Sequence, residues 1–301
     1  MPVERTLAIH GLDSRVRLVL RGSRAAELHD ALRRSWSRCL EPVGLAIEAG
    51  DIPVELRSAG EPSMLADRGV SGEDLLAVMQ ETTQTVTRAF IAAQAGRLLM
   101  LHAGACADPV TGSTVAFVAP GGTGKTTLAE VFASEWGYLT DETVGIRPDG
   151  TVAPYPKPLS KRPSKGAGPK AEVSPDHLGL RPAPAEARLR RIVLLRRDPT
   201  RDDPPAFTPL DIPDAIVALA PETSSLSKLP RPLHLLADLL AQIGPVLRCD
   251  YREAAGLVPL MQDLLAREAD GPVALIDEAL VMRDDQDGES LGGLPDIVDQ
   301  R

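Results

Sequence analysis

A glycine-rich run, Ala119-Pro-Gly-Gly-Thr-Gly-Lys-Thr126, separates two segments of different periodicity. Residues 114–118 form a short apolar run that predicts a strand, and residues 125–135 place Leu128 and Phe132 on one face of a predicted helix. A loop between such a strand and such a helix directs successive backbone N–H groups, and the positive end of the helix, at one point in space. The run therefore predicts a phosphate-binding loop of the Walker A type, and with it a bound nucleoside triphosphate, ATP or GTP.

The residue types in this loop suit phosphate chemistry. Glycine permits backbone conformations, and a close approach of the anion, that side chains would block. Lys125 adds a mobile positive charge for the β and γ phosphates, and the hydroxyl of Thr126 is a ligand for Mg²⁺. The usual pattern begins with glycine, and here Ala119 stands in that position. We predict that the nucleotide is bound by Pro120, Gly121, Gly122, Thr123, Gly124, Lys125, Thr126 and Thr127.

Composition excludes several other classes of protein. The net charge of −9 and the aromatic fraction of 3% argue against a nucleic-acid-binding surface. No run approaches the ~18 apolar residues of a membrane span, and the N-terminus lacks a signal-type apolar core. Cys39, Cys106 and Cys249 have no metal-ligand spacing and are predicted to be buried, reduced thiols. We predict a cytoplasmic protein without a nucleic-acid or membrane partner, and a homo-oligomer is left open.

At 301 residues the chain is long enough for one or two domains. We predict a small α+β region over residues 1–95, a nucleotide-binding domain over 96–282 and a disordered acidic tail over 283–301. Residues 151–190 are rich in proline, glycine and basic side chains, which is typical of either a functional lid or a disordered spacer. The sequence leaves these two alternatives open.

Two helix starts are predicted in the N-terminal region. Ser23 is predicted to cap a helix that carries Leu28 and Leu32 on its apolar face. Ser71-Gly-Glu-Asp74 resembles a capping box and is predicted to open a longer helix over residues 72–95.

A predicted hairpin precedes the phosphate-binding loop. Residues 98–107 and 113–119 are apolar and strand-like, and the five residues between them contain proline and glycine. A connection of that length makes the two strands antiparallel neighbours. In doubly wound nucleotide-binding folds a helical crossover is expected nearby instead. The predicted fold class is therefore α/β with a mixed sheet.

Triphosphate chemistry also needs carboxylates near the loop, which hold a metal ion or accept a proton from the nucleophile. Two acidic pairs are candidates. Asp141-Glu142 lies one helix and one turn beyond Lys125, on a strand predicted to pair with the loop strand. Asp277-Glu278 follows the apolar run at 273–276, an arrangement typical of motor and transport ATPases. We favour Asp141-Glu142 because its short connection to the loop helix keeps it close to the loop.

These motifs together resemble the HPr kinase/phosphorylase-like group, whose nucleotide-binding fold is related to that of phosphoenolpyruvate carboxykinase. The resemblance covers residues 97–162. It rests on the hairpin, on the loop, and on His102-Ala-Gly-Ala, Leu139-Thr-Asp-Glu-Thr-Val144 and Tyr155-Pro-Lys-Pro-Leu-Ser160. The Arg-Gly signature that true HPr kinases carry beyond the acidic pair has no counterpart here. The chain is thus similar to HPr-kinase-related proteins rather than to a true HPr kinase.

The resemblance implies roles for individual residues. Lys125 would hold the β and γ phosphates, and Thr126 with Glu142 would hold Mg²⁺. Asp141 matches the family carboxylate that is linked to activation of the acceptor hydroxyl, and His102 matches a histidine on the strand before the loop. A clamp on the transferred phosphoryl group would come from Lys157, Lys161 and Arg162.

The implied function is an Mg²⁺-dependent kinase that transfers the γ-phosphate of ATP to a hydroxyl of a peptide, a protein or a small molecule. Two alternatives remain at this point. One is a nucleotide-dependent regulator or ATPase that uses Asp277-Glu278 and phosphorylates no acceptor. The other is a scaffold that binds the nucleotide without turnover.

Overall fold

The computed structural model describes residues 4–41, 46–65, 69–120, 124–162 and 168–269. Three residues of the phosphate-binding loop, Gly121, Gly122 and Thr123, lie outside this range. The second acidic pair, Asp277-Glu278, and the predicted tail at 283–301 also lie outside the described residues.

The N-terminal region combines a four-stranded sheet with two helices. Its elements in chain order are β1 (Arg5–Gly11), β2 (Ser14–Arg21), α1 (Ala25–Ser35), β3 (Ile47–Leu56), β4 (Val70–Gly72) and α2 (Leu75–Gln94). The strands pair in the order β1-β2-β3-β4, the first two antiparallel and the others parallel. Alternate residues of β1, such as Leu7 and Ile9, are buried under the helices, as the period of a strand requires.

Both predicted helix caps are wrong. The residue at the α1 N-cap is Arg24, and the Ser23 hydroxyl instead contacts the side chains of Ser58 and Glu61. The N-cap of α2 is Asp74, whose carboxylate accepts a hydrogen bond from the Ala77 N–H at 2.8 Å. The Ser71 hydroxyl donates to the carboxylate of Glu55, which is buried under this part of the chain. Each serine hydroxyl therefore hydrogen-bonds to a carboxylate that is distant in the chain instead of capping a helix. A local sequence pattern does not reveal such a partner.

The rest of the described chain is a larger α/β assembly. Around the loop, its elements are β5 (Leu99–Leu101), β6 (Ala103–Ala107), β7 (Ser113–Val118), α3 (Lys125–Phe132), β8 (Gly137–Thr140) and β9 (Val144–Ile146). Five further strands follow, β10 (Val152–Ala153), β11 (Leu159–Lys161), β12 (Ala171–Val173), β13 (Arg181–Pro182) and β14 (Arg188–Arg197). The last elements are β15 (Ala206–Pro209), α4 (Ile212–Leu219), β16 (Thr223–Ser224), α5 (Pro232–Ile243), β17 (Leu247–Tyr251) and α6 (Leu257–Ala269).

A seven-stranded mixed sheet forms the centre of this assembly, in the order β13-β8-β6-β7-β14-β17-β15. Strands β6 and β7 are antiparallel neighbours, which confirms the predicted hairpin, and β14 pairs with β7 in parallel. The α/β class with a mixed sheet is therefore confirmed. The other sheets are a four-stranded one, β10-β9-β5-β16, and the pair β11-β12.

Helices cover both faces of the central sheet. Ala116 and Val118 of β7 belong to the core beneath α4 and α5, whereas Val115 and Phe117 pack with α3 and α6. All six residues of β7 are buried, as expected for a strand with a helical layer on each side. The strand that carries the loop is thus fixed from both faces.

The start of the segment at 151–190 packs into the core, so this part of it is not a disordered spacer. Tyr155 is fully buried, packs against Trp36 and Phe90, and shares a hydrogen bond of 2.7 Å between its hydroxyl and that of Thr87. This residue belongs to the core of the N-terminal region. The division of the chain at residue 95 stays a prediction.

Two other expectations concern the cysteines and the membrane. Cys39, Cys106 and Cys249 are buried and unpaired, as predicted. Among the described helices, none has the length and apolar character needed to cross a bilayer.

Candidate functional site

The loop and the helix that follows it are arranged as the motif predicts, where they are described. Strand β7 ends at Val118 and α3 begins at Lys125. Gly124, which precedes the helix, has a φ of 99°, a conformation that side chains other than glycine rarely adopt. A Cβ atom at Gly124 would meet only the Tyr251 hydroxyl, at 3.9 Å. The backbone angle, rather than crowding, therefore explains the glycine at this position.

Lys125 is buried at the first turn of α3 and points back into the loop. Its ammonium group donates hydrogen bonds to the carbonyl oxygens of Ala119 and Pro120. Burial lowers the pKa of Lys125, and the negative charges of Glu222, Asp141 and Glu142 act in the opposite direction. The charge is thus held over the loop by carbonyl oxygens, and phosphate oxygens can replace these as acceptors.

The next residue, Thr126, contacts the first acidic pair. Its hydroxyl donates to Oδ2 of Asp141 at 2.8 Å. A hydroxyl and a carboxylate in contact are hard oxygen ligands of the kind that Mg²⁺ prefers. The described residues hold no group of three or more His, Cys, Asp or Glu side chains that could hold a metal. Mg²⁺ commonly binds through one or two protein oxygens, with phosphates and water completing its shell, and this pair supplies two such oxygens.

Asp141 is held from its other side by two further groups. The Tyr138 hydroxyl donates to Oδ1 at 3.1 Å, and the Lys157 ammonium contacts the same oxygen at 2.8 Å. Asp141 is only 4% exposed. Its carboxylate is therefore fixed in position by three side chains and has little contact with solvent.

Lys157 is the second buried cation of the site, besides Lys125. Its ammonium contacts Oδ1 of Asp141 at 2.8 Å and Oε2 of Glu142 at 3.2 Å, and its side chain is 2% exposed. Burial alone would lower the pKa of Lys157, but the charges of Asp141, Glu142 and Glu172 together raise it. Lys157 neutralises the acidic pair.

The other two members of the predicted clamp lie elsewhere. Lys161 forms an ion pair with Glu130 at 2.6 Å, and Arg162 is exposed. The structure thus brings only Lys157 of the three to the acidic pair.

His102 and Glu142 lie where the chain passes between two sheets. His102 is the residue between β5 of the four-stranded sheet and β6 of the central sheet. Glu142 lies in the return passage, between β8 and β9, and its carbonyl oxygen accepts a hydrogen bond from the Ala103 N–H at 3.1 Å. The side chain of Glu142 is 39% exposed, in contrast to that of Asp141. The topology therefore brings His102 next to the acidic pair, and its catalytic role stays a prediction.

The acidic pair follows a strand that does not pair with the loop strand, and the predicted neighbourhood is wrong. Strand β8 pairs with β6, so that β6 separates it from β7. The hairpin partner occupies one edge of β7, and β14 occupies the other. Asp141 still reaches Thr126 because α3 packs over β6 and β8, with Leu128 against Cys106 and Tyr138 in one core.

Three residues of the site carry no signal in the sequence. The Glu222 carboxylate lies 4.0 Å from Nδ1 of His102, and its backbone oxygen accepts a hydrogen bond from the His102 N–H at 2.6 Å. Burial and the charge of Lys125 lower the pKa of His102, which favours the neutral imidazole. Tyr138 and Glu172 complete the set. Tyr138 lies three residues before Asp141, whereas Glu172 and Glu222 reach the site through strand pairing and a distant loop, which local patterns do not predict.

Glu172 is a buried carboxylate on β12. Its Oε1 accepts a hydrogen bond from the Ser160 hydroxyl at 2.7 Å. Its Oε2 is buried without a hydrogen-bond partner in the described part of the chain. Burial raises the pKa of Glu172 to about 7, and the charge of Lys157 acts in the opposite direction.

This pKa predicts a pH dependence of stability. A carboxyl group whose folded-state pKa lies above its unfolded-state value stabilises the fold fully below the unfolded-state value, and that stabilisation is lost as pH rises through about 7. We expect Glu172→Gln to have a free energy of unfolding close to that of the wild type at pH 4.5 and to exceed it by about 1–3 kcal/mol at pH 8. Urea unfolding at both values measures this, with the exposed Glu186→Gln as control. An equal effect of Glu172→Gln at both pH values would contradict the expectation.

Comparisons with known proteins add little to this geometry. No family model and no curated protein matches the chain. Among solved structures, the chain is similar to the HPr(Ser) kinase/phosphatase from Coxiella burnetii, with 12% identity over 57% of this chain and 94% of that chain, at a TM-score of 0.28. A superposition at that score supports no statement about activity. Membership of the HPr-kinase-like group therefore remains a prediction from the motifs.

Proposed function

We propose that the chain is an Mg²⁺-dependent kinase that transfers the γ-phosphate of ATP to a hydroxyl acceptor. The observation that carries this proposal is the 2.8 Å contact between the Thr126 hydroxyl and the Asp141 carboxylate, one residue beyond the buried Lys125. It joins the start of the loop helix to an acidic pair, which is the combination that phosphoryl transfer requires. The nature of the acceptor, whether peptide, protein or small molecule, and the choice between ATP and GTP are separate questions.

The residues at the loop fit MgATP. Lys125 and the backbone N–H groups at the start of α3 would hold the phosphates, and Thr126 with Asp141 would hold the metal. The bound metal would neutralise charge on the β and γ phosphates. Pro120, Gly124 and Thr127 flank these residues in the described part of the loop, and their contribution to nucleotide binding stays a prediction.

The two carboxylates of the acidic pair have different roles in this proposal. Asp141 accepts from Thr126 and Tyr138 and pairs with Lys157, so it is suited to hold a metal in one position. The Glu142 carboxylate is more exposed, and among the described residues its ion pair is with Lys157 at 3.2 Å, so it has room to accept a proton. This assignment exchanges the roles that the family resemblance implies for the two residues.

These groups account for every bond and proton in the phosphoryl transfer. The acceptor oxygen forms a bond to the γ-phosphorus as the bond from that phosphorus to the bridging oxygen breaks, and ADP leaves with the bonding electron pair. The acceptor proton passes to Glu142. Lys125 and Lys157 supply fixed positive charge beside the reacting groups. His102 lies beside Glu142 with its neutral form favoured, so it can donate a hydrogen bond to the acceptor without adding charge.

Substitution of the two acidic pairs tests this proposal. We expect Glu142→Gln to slow Mg²⁺-dependent ADP formation by about 10²- to 10⁴-fold and to leave ATP affinity nearly unchanged, because the general base is lost and the metal position is kept. Asp277→Asn should leave both quantities unchanged. ADP release and nucleotide titration measure the two effects separately. Loss of turnover in the Asp277 variant alone would favour the ATPase alternative, and nucleotide binding without any turnover in the wild type would favour the scaffold.

A further inference from the structure

A cavity of about 250 Å³ lies beside Glu142. Its lining residues are Gln84, Thr87, Arg88, Ile91, His102, Glu142, Thr143 and Ser224. They come from one face of α2, from the two passages between the sheets, and from β16. The cavity is therefore an open cleft lined by the N-terminal region and by the candidate catalytic groups.

The wall formed by α2 carries the guanidinium group of Arg88. Arg88 is exposed and donates a hydrogen bond to the Thr85 hydroxyl at 2.9 Å. It forms no ion pair with any residue that the structure describes. Gln84 and Ile91 lie on the same helical face, one turn before and one turn after Arg88. This wall offers a guanidinium group, an amide and a small apolar surface.

The opposite wall carries the groups that act on a hydroxyl. Glu142 and His102 lie there, with Ser224 beside them. Arg88 and Glu142 are the charged side chains of the lining, and they belong to opposite walls. A molecule between them would meet a carboxylate at one end and a guanidinium group at the other.

We propose that this cavity binds the phosphoryl acceptor, and that the acceptor is a small alcohol that also carries an anionic group. Its hydroxyl lies against Glu142 and its anionic group pairs with Arg88. The inference rests on the kinase function proposed above and names the substrate class for that site. A guanidinium group pairs with a carboxylate or a phosphate through two parallel hydrogen bonds, so either anion satisfies this chemistry.

The charge of the lining, rather than its volume, favours a small charged acceptor. A serine within a polypeptide could place its hydroxyl at Glu142, but its side chain brings no anion for Arg88. The guanidinium group therefore favours an acceptor with its own charge near the hydroxyl.

Matched alcohols test the proposal. D-Glycerate and glycerol 3-phosphate carry a hydroxyl with a carboxylate or a phosphate, and glycerol carries the hydroxyl groups alone. We expect Mg²⁺- and acceptor-dependent ADP formation with at least one of the two anions, with a kcat/KM at least tenfold above that for glycerol. Comparison of the two anions identifies which one Arg88 binds. In Arg88→Gln, the KM for that acceptor should rise about tenfold or more with ATP affinity unchanged, whereas Arg33→Gln on α1 should behave as the wild type.

The outcomes separate this inference from the proposed function. If nucleotide binding is intact and neither anion is used better than glycerol, or if Arg88→Gln leaves the KM unchanged, the acceptor class is wrong and the nucleotide site stands. Phosphorylation of a polypeptide serine in preference to both anions would also overturn the inference while supporting the kinase. Loss of nucleotide binding in the wild-type protein would instead remove the proposed function itself.

Discussion

Asp141→Asn is expected to reduce Mg²⁺-dependent ADP formation by about 10³-fold. Asparagine keeps the size of the side chain but removes the negative charge that faces the Thr126 hydroxyl and the Lys157 ammonium. A neutral amide is a weak ligand for Mg²⁺, and the metal supplies several kcal/mol of charge stabilisation in phosphoryl transfer. ADP release at saturating ATP measures the loss.

The same substitution should also affect stability. Lys157 is buried, and removal of one partner of a buried ion pair costs roughly 3–5 kcal/mol. Glu142 remains within 3.2 Å of Lys157, so we expect a loss near the lower end, about 3 kcal/mol in the free energy of unfolding. Asp263→Asn on the exposed face of α6 is the matched control. An Asp141→Asn protein that keeps wild-type turnover would remove Asp141 from the reaction.

The second large effect is expected at the loop. Lys125→Met should weaken ATP binding by about 100-fold, because a hydrogen-bonded ion pair with phosphate contributes up to about 3 kcal/mol. Methionine keeps the apolar stem of the buried side chain, so the protein should remain folded. The carbonyl oxygens of Ala119 and Pro120 lose a donor, which is a smaller effect. Calorimetric titration with MgATP measures the affinity.

Lys228→Met is the control for that experiment, because Lys228 is exposed and lies outside the site. Its affinity for ATP should match that of the wild type. Equal affinity in Lys125→Met and in the wild type would mean that the nucleotide, if bound, lies away from this loop.

The part of the site that local patterns predict is the part that is local in the chain. The strand, the loop helix and Asp141 lie within about thirty residues, so spacing and periodicity are sufficient to place them together. The hairpin β6–β7 follows from its short connection in the same way. Thr126 and Asp141 lie only fifteen residues apart, and their side chains form a hydrogen bond.

Two of the residues that sequence reasoning missed, Glu222 and Glu172, reach the site over long distances in the chain. Glu222 arrives from the segment before β16, and Glu172 from a strand paired with β11. Lys157 is predicted as a cation of the site, but its burial is not, because it lies in a stretch whose composition is typical of an exposed or disordered segment. It is nevertheless buried against two carboxylates. Burial of a lysine follows from the partners that surround it, and those partners are fixed by tertiary structure rather than by composition.

The two wrong helix caps have the same cause. Ser23 and Ser71 each satisfy a local capping pattern, but each hydroxyl bonds to a glutamate brought near by the fold. The position of β8 beside β6 is a further example. The number of intervening residues limits how far Asp141 can lie from the loop, but it does not determine which edge of the sheet is free for the next strand.

The central claim is that Thr126 and Asp141 together hold the metal of a bound MgATP. The most direct measurement is a calorimetric titration with ATP, with and without Mg²⁺, of the wild type and of Asp141→Asn. We expect Mg²⁺ to strengthen ATP binding to the wild type by tenfold or more and to have little effect on ATP binding to Asp141→Asn. The same gain from Mg²⁺ in both proteins, or no binding of ATP to the wild type, would contradict it.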